Sequence, residues 1–146
     1  MSRAELFVYR SRMPAPAEAV FAWHEQAGAL QRLVPPWEPL ELIAHEGIRD
    51  GRRAVLRVRL GPIARKMVAE HRGYDPRRRF QDVQLEGPFA AWEHTHTITP
   101  DGSVGCRLEE RIEYRLPLGL LGRWCGAALA RRRLERMFAY RHRVTA

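Results

Sequence analysis

The segment from residue 106 to residue 115 alternates between two kinds of side chain along its whole length. Its charged set comprises Arg107, Glu109, Arg111, Glu113 and Arg115. Its other set comprises Cys106, Leu108, Glu110, Ile112 and Tyr114. Because successive side chains of a β-strand point to opposite faces, this period of two predicts a strand with one wet face and one buried face. Such a strand belongs in a sheet that is covered on one side only, which is typical of antiparallel sheets.

The same period of two runs from about Glu38 to Arg115 and is interrupted by turn signals. These signals are Asp50-Gly51, Gly61-Pro62, Asp75-Pro76, Gly87-Pro88 and Asp101-Gly102. Six short strands in an antiparallel meander are therefore predicted here. A further strand is predicted over residues 3–13, because this stretch is rich in β-formers and ends at two prolines.

Helical spacing of apolar residues appears before and after these six strands. One helix is predicted from Pro16 to about Ala27, and a second short helix around residues 29–34. After Pro117, an apolar stripe predicts a long amphipathic helix. The stripe comprises Leu120, Ala127, Ala130, Leu134, Met137 and Phe138. The element order β-α-α-β6-α predicts an α+β fold in which a curved antiparallel sheet of about seven strands wraps around the C-terminal helix.

Length and composition narrow the class of protein. The chain has 146 residues, 45% of them apolar, which predicts a single domain over residues 1–146 with a real core. No apolar run reaches the length of a membrane span or a signal sequence, so a cytoplasmic location is expected. The two cysteines, Cys106 and Cys125, lack metal-ligand spacing and are expected to be reduced, buried thiols.

The positive charge is concentrated at the C-terminus. From Arg123 onward there are seven arginines and one acid, Glu135, which is +6 of the net charge of +8. These arginines surround an apolar stripe without interleaved aromatic residues, so we interpret them as a solvated helix face. Nucleic-acid binding is not expected. Binding of nucleic acid or a partner protein through this helix is the third and weakest functional hypothesis.

Polar side chains are predicted on the buried face of the sheet. If Asp101-Gly102 is the tip of a hairpin, His96 lies opposite Cys106, His94 opposite Leu108 and Trp92 opposite Glu110.

The Gly87-Pro88 turn likewise places Asp82 opposite His94, Gln84 opposite Trp92 and Phe80 opposite His96. A slip of one residue would turn Ala91, Glu93, Thr95 and Thr97 inward instead, which gives a less apolar face.

This register brings Asp82, Gln84, His94, His96 and Glu110 together beside three aromatic residues. The aromatic residues are Phe80, Trp92 and Tyr114. Each unpaired buried polar group costs about 1 to 3 kcal/mol, so the groups must pair, hold water or contact a ligand. A hydrated ligand pocket is favoured. The alternative is a structural network in which Asp82 pairs with His94 and Glu110 with the Trp92 indole.

Metal and nucleophile motifs are weak in this chain. His94 and His96, with Asp82 or Glu110, have the composition of a site with two histidines and one carboxylate, but the spacing fixes no third ligand. Neither a metal nor another cofactor is expected. A Gly-x-Ser-x-Gly elbow, a dinucleotide fingerprint and a phosphate loop are all missing from the sequence.

Four stretches resemble the SRPBCC (START/Bet v 1-like) superfamily. They are residues 14–24, 28–38, 80–96 (FQDVQLEGPFAAWEHTH) and 113–119. The likeness is closest to cyclase/dehydrase-type domains, which are found alone or beside sugar-nucleotide epimerase-like domains. It implies a helix-grip fold around a hydrophobic cavity and a possible epimerase-like partner. It also implies that the characteristic positions of the subfamily are Trp37, Phe80, Asp82, Gln84, Trp92, His94 and His96.

Two functions fit this resemblance and these residues. A binding module would hold a hydrophobic or aromatic small molecule, with His94, Asp82 and Glu110 orienting its polar head. The ligand-contacting set is then predicted to comprise Trp37, Phe80, Asp82, Gln84, Trp92, His94, His96, Glu110 and Tyr114. Alternatively, a polyketide cyclase/dehydrase-type enzyme would use His94 as a general base, with Asp82 fixing its tautomer. Binding is favoured, because catalysis also requires a geometry that spacing does not show.

Overall fold

The computed structural model describes residues 4–38, 40–60, 63–116 and 124–146. The strands are β1 Glu5–Met13, β2 Leu40–His45, β3 Arg53–Leu60, β4 Ile63–Asp75, β5 Arg79–Glu86, β6 Ala91–Pro100 and β7 Cys106–Arg115. The helices are α1 Ala17–Glu25, α2 Ala29–Leu33 and α3 Trp124–Thr145. This order confirms the predicted β-α-α-β6-α pattern.

The strands form one antiparallel sheet of seven in the order β1-β7-β6-β5-β4-β3-β2. Strands β2 to β7 make a meander, and β1 pairs with β7 at one edge. Register shifts interrupt the pairing of β2 with β3 and of β4 with β5. Irregularities of this kind bend a strand and increase its twist, so they help the sheet to curve. The result is the helix-grip α+β fold.

The predicted pairing of β6 with β7 is wrong, although the predicted faces are right. His96 lies opposite Glu110, His94 opposite Ile112 and Trp92 opposite Tyr114, so each partner is displaced by four residues. The cause is a longer hairpin loop: the backbone N–H of Asp101 donates to the Gly105 carbonyl at 3.0 Å, in place of a two-residue turn. An even displacement keeps each side chain on its face.

The buried face of β7 is the one that the alternation predicts. Its inner set is at most 3% exposed: Cys106, Leu108, Glu110, Ile112 and Tyr114. The predicted pairing of β5 with β6 is confirmed over residues 79–83, with Asp82 opposite His94 and Phe80 opposite His96. Cys106 is a buried free thiol, as predicted, whereas the Cys125 side chain lies outside the described residues.

Helix α3 packs its apolar stripe against the inner face of the sheet. Leu134 and Phe138 are buried, and the Phe138 ring lies 5.7 Å from Phe7 and 5.2 Å from His94, measured between centroids. Of the predicted stripe, Leu120 and the Ala127 side chain lie outside the described residues.

The arginines of α3 do not all face solvent. Four are exposed, namely Arg131, Arg132, Arg136 and Arg143, whereas Arg133 and Arg141 line an internal cavity. Among the described residues, no helix has the length and apolar character of a membrane span.

Phe138→Ala is expected to lower the free energy of unfolding by about 3 to 5 kcal/mol, because it removes a fully buried ring where α3 meets the sheet. Urea unfolding followed by circular dichroism measures this change. Val104→Ala is the matched control: Val104 is 71% exposed, so the change should stay within about 0.5 kcal/mol. A Phe138→Ala protein as stable as the control would contradict this role for the helix–sheet contact.

Candidate functional site

A cavity of about 570 Å³ lies between the sheet and the helices. Residues from α2, β3, β4 and α3 make its apolar wall, including Leu33, Leu56, Val58, Met67, Ala69 and Leu134. Side chains on β3, β4, β5 and β6 reach it because they occupy the inward positions of their alternating strands. A shape of this size and character fits a small apolar molecule.

Histidines are concentrated at this cavity. The chain has six, and five of them line the cavity: His24, His45, His71, His94 and His96. The sixth, His142 on α3, is buried behind the cavity wall, where its Nε2 lies 3.5 Å from Glu110 Oε1 and its Nδ1 bonds Ser11 Oγ. The polar part of the site is therefore built mainly from imidazoles.

Two carboxylates flank His94 and His96 on opposite sides. Asp82 Oδ2 lies 3.5 Å from His94 Nδ1 and 3.3 Å from His96 Nε2. Glu110 Oε2 lies 2.7 Å from His94 Nε2 and 2.8 Å from His96 Nδ1. The two imidazoles stack with centroids 3.8 Å apart. Asp82, His94 and His96 can each offer one ligand atom, and these atoms all lie within 4.8 Å of one another, which is compact enough to hold a metal ion.

Both carboxylates are held ionised. Burial opposes the charge on Asp82, but the charges of His94 and His96 and the His96 hydrogen bond outweigh it, so the Asp82 pKa lies well below its usual range. For Glu110 burial again opposes ionisation, and His96, His94 and the His142 hydrogen bond outweigh it, so the Glu110 pKa is also strongly lowered. The site thus contains two buried negative charges.

The two stacked histidines differ in charge. Burial lowers the His94 pKa, and the neighbouring His96 lowers it further, so His94 is neutral. Burial also opposes protonation of His96, but Glu110 and Asp82 together raise the His96 pKa to about 9. Since like charges at 3.8 Å repel, only one of the stacked rings carries the proton.

His24 and His71 were missed by the sequence analysis as site residues. His24 Nδ1 contacts the Val20 carbonyl at 2.8 Å, and His71 Nδ1 contacts the Arg52 carbonyl at 3.2 Å. A carbonyl only accepts, so each Nδ1 carries the hydrogen. Burial lowers the pKa of His71, and it lowers the pKa of His24 to about 4. Each ring is therefore neutral and keeps an unprotonated Nε2. His24 lies four residues after Val20 in the predicted first helix, and this helical spacing was its only signal.

Helix α3 brings two arginines to the cavity. Arg133 forms an ion pair with Glu38, and both residues line the cavity. Arg141 Nε is buried without a hydrogen-bond partner, and its guanidinium lies over the Phe138 ring at 5.1 Å. Burial lowers the Arg141 pKa, but a guanidinium remains charged.

Of the nine residues predicted to contact a ligand, five line the cavity: Phe80, Asp82, Trp92, His94 and His96. The predicted partners within this group are partly wrong. The Trp92 indole donates to Asp82 Oδ1 at 3.2 Å, not to Glu110, which bonds His94 instead. The displaced β6–β7 register is the cause, because Glu110 lies opposite His96.

The other four predicted residues do not line the cavity. Glu110 lies behind the histidines, and Tyr114 is buried in the core beside Trp92. Gln84 makes two hydrogen bonds to the backbone of Phe89, which close the loop between β5 and β6. Trp37 is 44% exposed and packs edge-on against Tyr140.

The free energy of unfolding should fall as the pH falls from 6.5 to about 4, because the unfolded chain protonates His24 in this range and the folded chain does not. This stabilisation is fully present above pH 6.5, and the lowered pKa corresponds to roughly 3 kcal/mol. Urea unfolding across this range should show a smaller loss for His24→Gln than for the unaltered protein. Equal pH slopes for the two would contradict a buried neutral His24.

Three solved structures are similar to this fold. The protein TTHA0849 from Thermus thermophilus has a TM-score of 0.73 and 23% identity, and the match covers 97% of each chain. The Zhui aromatase/cyclase from Streptomyces sp. R1128 has a TM-score of 0.71 and 19% identity, over 98% of this chain and 92% of that one.

The nucleoside-diphosphate sugar epimerase from Corynebacterium glutamicum has a TM-score of 0.71 and 29% identity. That match covers 95% of this chain but only 28% of the epimerase chain.

No functionally curated protein matches the sequence. One family does match, over residues 7–143, and it is described as "Polyketide cyclase / dehydrase and lipid transport". That range contains the whole sheet except its first two residues, the cavity and nearly all of α3. The chain therefore belongs to the polyketide cyclase/dehydrase and lipid transport family.

Proposed function

We propose that this protein binds an apolar or aromatic small molecule in the cavity between the sheet and α3. The observation that carries the proposal is the cavity itself: about 570 Å³ with a mainly apolar wall and a small number of polar side chains, five of them histidines. Ligand sites commonly have this size and this division between apolar area and a few placed polar groups.

The aromatic residues supply the apolar contact in this proposal. Phe80 stacks on His96 with centroids 4.0 Å apart, and Trp92 packs on Phe89 at 4.8 Å. Phe80, Phe89, Trp92 and His96 all line the cavity, so flat surfaces face the space where a ligand would lie. Stacking on such surfaces favours planar molecules.

The polar groups orient the ligand in this proposal. Asp82 Oδ2 and the free Nε2 lone pairs of His24 and His71 accept hydrogen bonds, whereas the protonated His96 donates. A hydroxyl or carbonyl on an otherwise apolar molecule could meet either kind of group. An apolar molecule without a hydroxyl or carbonyl would bind only through burial of its apolar surface.

Ala69→Phe should abolish binding of N-phenylnaphthylamine, an uncharged fluorescent probe, because Ala69 lines the cavity and is 3% exposed. Probe fluorescence titration measures the binding, and native mass spectrometry of the purified protein shows any retained ligand. Ala22→Phe is the matched control, since Ala22 is exposed on α1 and should not alter binding. Circular dichroism confirms that both variants are folded.

If the unaltered protein binds no apolar probe, or if Ala69→Phe binds it as well as Ala22→Phe does, the proposed binding function is wrong.

The enzyme alternative, a cyclase/dehydrase-type reaction with His94 as general base, is supported by the family and by the neutral state of His94. Glu110 holds Nε2 of His94 at 2.7 Å, and Asp82 lies 3.5 Å from Nδ1, so a substrate would compete with Asp82 for the one ring nitrogen that remains. His24 and His71 each keep an unprotonated Nε2, but burial lowers the pKa of both rings, which weakens them as bases. Binding therefore remains the favoured function.

His94→Ala separates the two functions. As a binding module, the variant should bind naphthol about 1 to 3 kcal/mol more weakly while binding methylnaphthalene as before, because only naphthol has a hydroxyl to orient. Fluorescence competition with the probe measures both affinities. Unchanged naphthol binding together with lost turnover of a ketide-like substrate would instead establish the enzyme.

Two further expectations are carried forward as parts of this proposal. The match to one segment of a sugar epimerase supports association with an epimerase-like protein. The cytoplasmic location remains a prediction from the sequence.

A further inference from the structure

We propose that Asp82, His94 and His96 bind a divalent transition-metal ion of the zinc type at the wall of the cavity. This inference is independent of the proposed function, because the three ligands are held by β5 and β6 whether or not a small molecule is bound. It also reverses the expectation from the sequence, in which the His-x-His spacing fixed no third ligand.

The distances from Asp82 to the two histidine nitrogens fit such an ion. Asp82 Oδ2 lies 3.5 Å from His94 Nδ1 and 3.3 Å from His96 Nε2. Metal–ligand bonds of 2.0 to 2.2 Å in a tetrahedral site place neighbouring ligand atoms about 3.4 Å apart. Asp82 therefore already stands at coordination spacing from both nitrogens.

The surrounding groups orient these ligands toward the cavity. Glu110 Oε2 lies 2.7 Å from His94 Nε2 and 2.8 Å from His96 Nδ1, the ring nitrogens on the far side from Asp82. A carboxylate there keeps the hydrogen on the far nitrogen, as carboxylates behind metal-binding histidines do. The near nitrogen of His96 ligates when the ion displaces its proton. The Trp92 indole holds Asp82 Oδ1, which leaves Oδ2 for the ion.

The hydrogen bonds within the histidine–carboxylate group also do not satisfy all of its polar atoms. His96 Nδ1 is buried without a hydrogen-bond partner, although Glu110 is 2.8 Å away, because the angle is poor. The two imidazoles stack with their planes inclined by 30°, and each presents one nitrogen to Asp82 Oδ2.

Charge favours a divalent ion at this place. Asp82 and Glu110 put two negative charges beside two imidazoles inside the fold, and His94, His96 and Glu110 are at most 6% exposed. Buried charges require a partner. The His96 proton balances one of these carboxylates, and a divalent cation that displaces this proton balances both. Two nitrogens and one oxygen suit zinc, iron or cobalt better than magnesium or calcium, which prefer oxygen alone.

The test uses purified full-length protein treated with a chelator and then titrated with Zn²⁺ by calorimetry and with Co²⁺ by visible absorption. One ion should bind per chain, and Co²⁺ should develop the intense bands of a low-coordinate nitrogen-ligated site. Asp82→Asn should abolish this signal, because the amide keeps the size of the side chain and an acceptor for Trp92 but loses the anionic ligand. His96→Gln should also abolish it. Glu110→Gln, a change in a positioning residue, should weaken binding about 10- to 100-fold.

His45→Gln is the matched control, since it removes a cavity histidine outside the three ligands and should retain the ion. Thermal melting of each chelated variant shows that it folds. If the folded protein binds neither Zn²⁺ nor Co²⁺, or if both ions bind to Asp82→Asn and His96→Gln as before, the proposal is overturned. Probe binding without ion binding would leave the proposed function standing and remove the metal site. Ion binding without probe binding would leave the metal site standing and show that the proposed binding function is wrong.

Discussion

The architecture follows from a mismatch between one curved sheet and the single long helix that covers it. Seven strands present a continuous inward face, whereas α3 covers that face mainly through Leu134 and Phe138. The two short helices α1 and α2 help to close the remaining side but do not fill it. An apolar space of about 570 Å³ is left. The inward side chains of the strands border this cavity and not close-packed atoms, so some of them can be polar. A packed core would not tolerate so many polar groups.

The buried polar groups are stable because each carboxylate is opposed by imidazoles. Asp82 and Glu110 lie on opposite sides of the His94–His96 stack, and each contacts both rings. Removing either carboxylate would leave a buried positive charge or N–H groups without a partner. Removing a histidine would leave a buried carboxylate without one. The stabilisation from such a network is larger than the sum of its pairwise interactions. This mutual dependence makes the cluster rigid, and it holds a defined set of nitrogen and oxygen atoms at the cavity wall.

The sequence predicted the fold and the faces of the strands well, because alternation is a local pattern that survives any even error in register. The predicted pairing displaced the partners of β7 by four residues. The Asp101-Gly102 signal marks a turn after Pro100 but does not give the length of the loop. Glu110 was therefore assigned to the indole of Trp92 and not to the histidines. His71 and Arg141 come from β4 and α3, whose approach to the cavity depends on long-range packing. No spacing rule in the chain indicates those two residues.

The positions of the arginines explain how one helix serves both solvent and cavity. Arg131 and Arg132 are exposed, but Arg133 is one further step around the helix and reaches Glu38 at the cavity wall. Arg141 lies eight residues beyond Arg133, close to two full turns, so it reaches the same side. The C-terminal segment has a net charge of +6, but this charge does not form one surface patch. The helical period places Arg131 and Arg132 on the solvent face and Arg133 and Arg141 at the cavity. Since Glu38 neutralises Arg133, Arg141 is the inward cation whose charge acts on Glu110 and Asp82. The charge balance of the cavity therefore depends on the packing of α3.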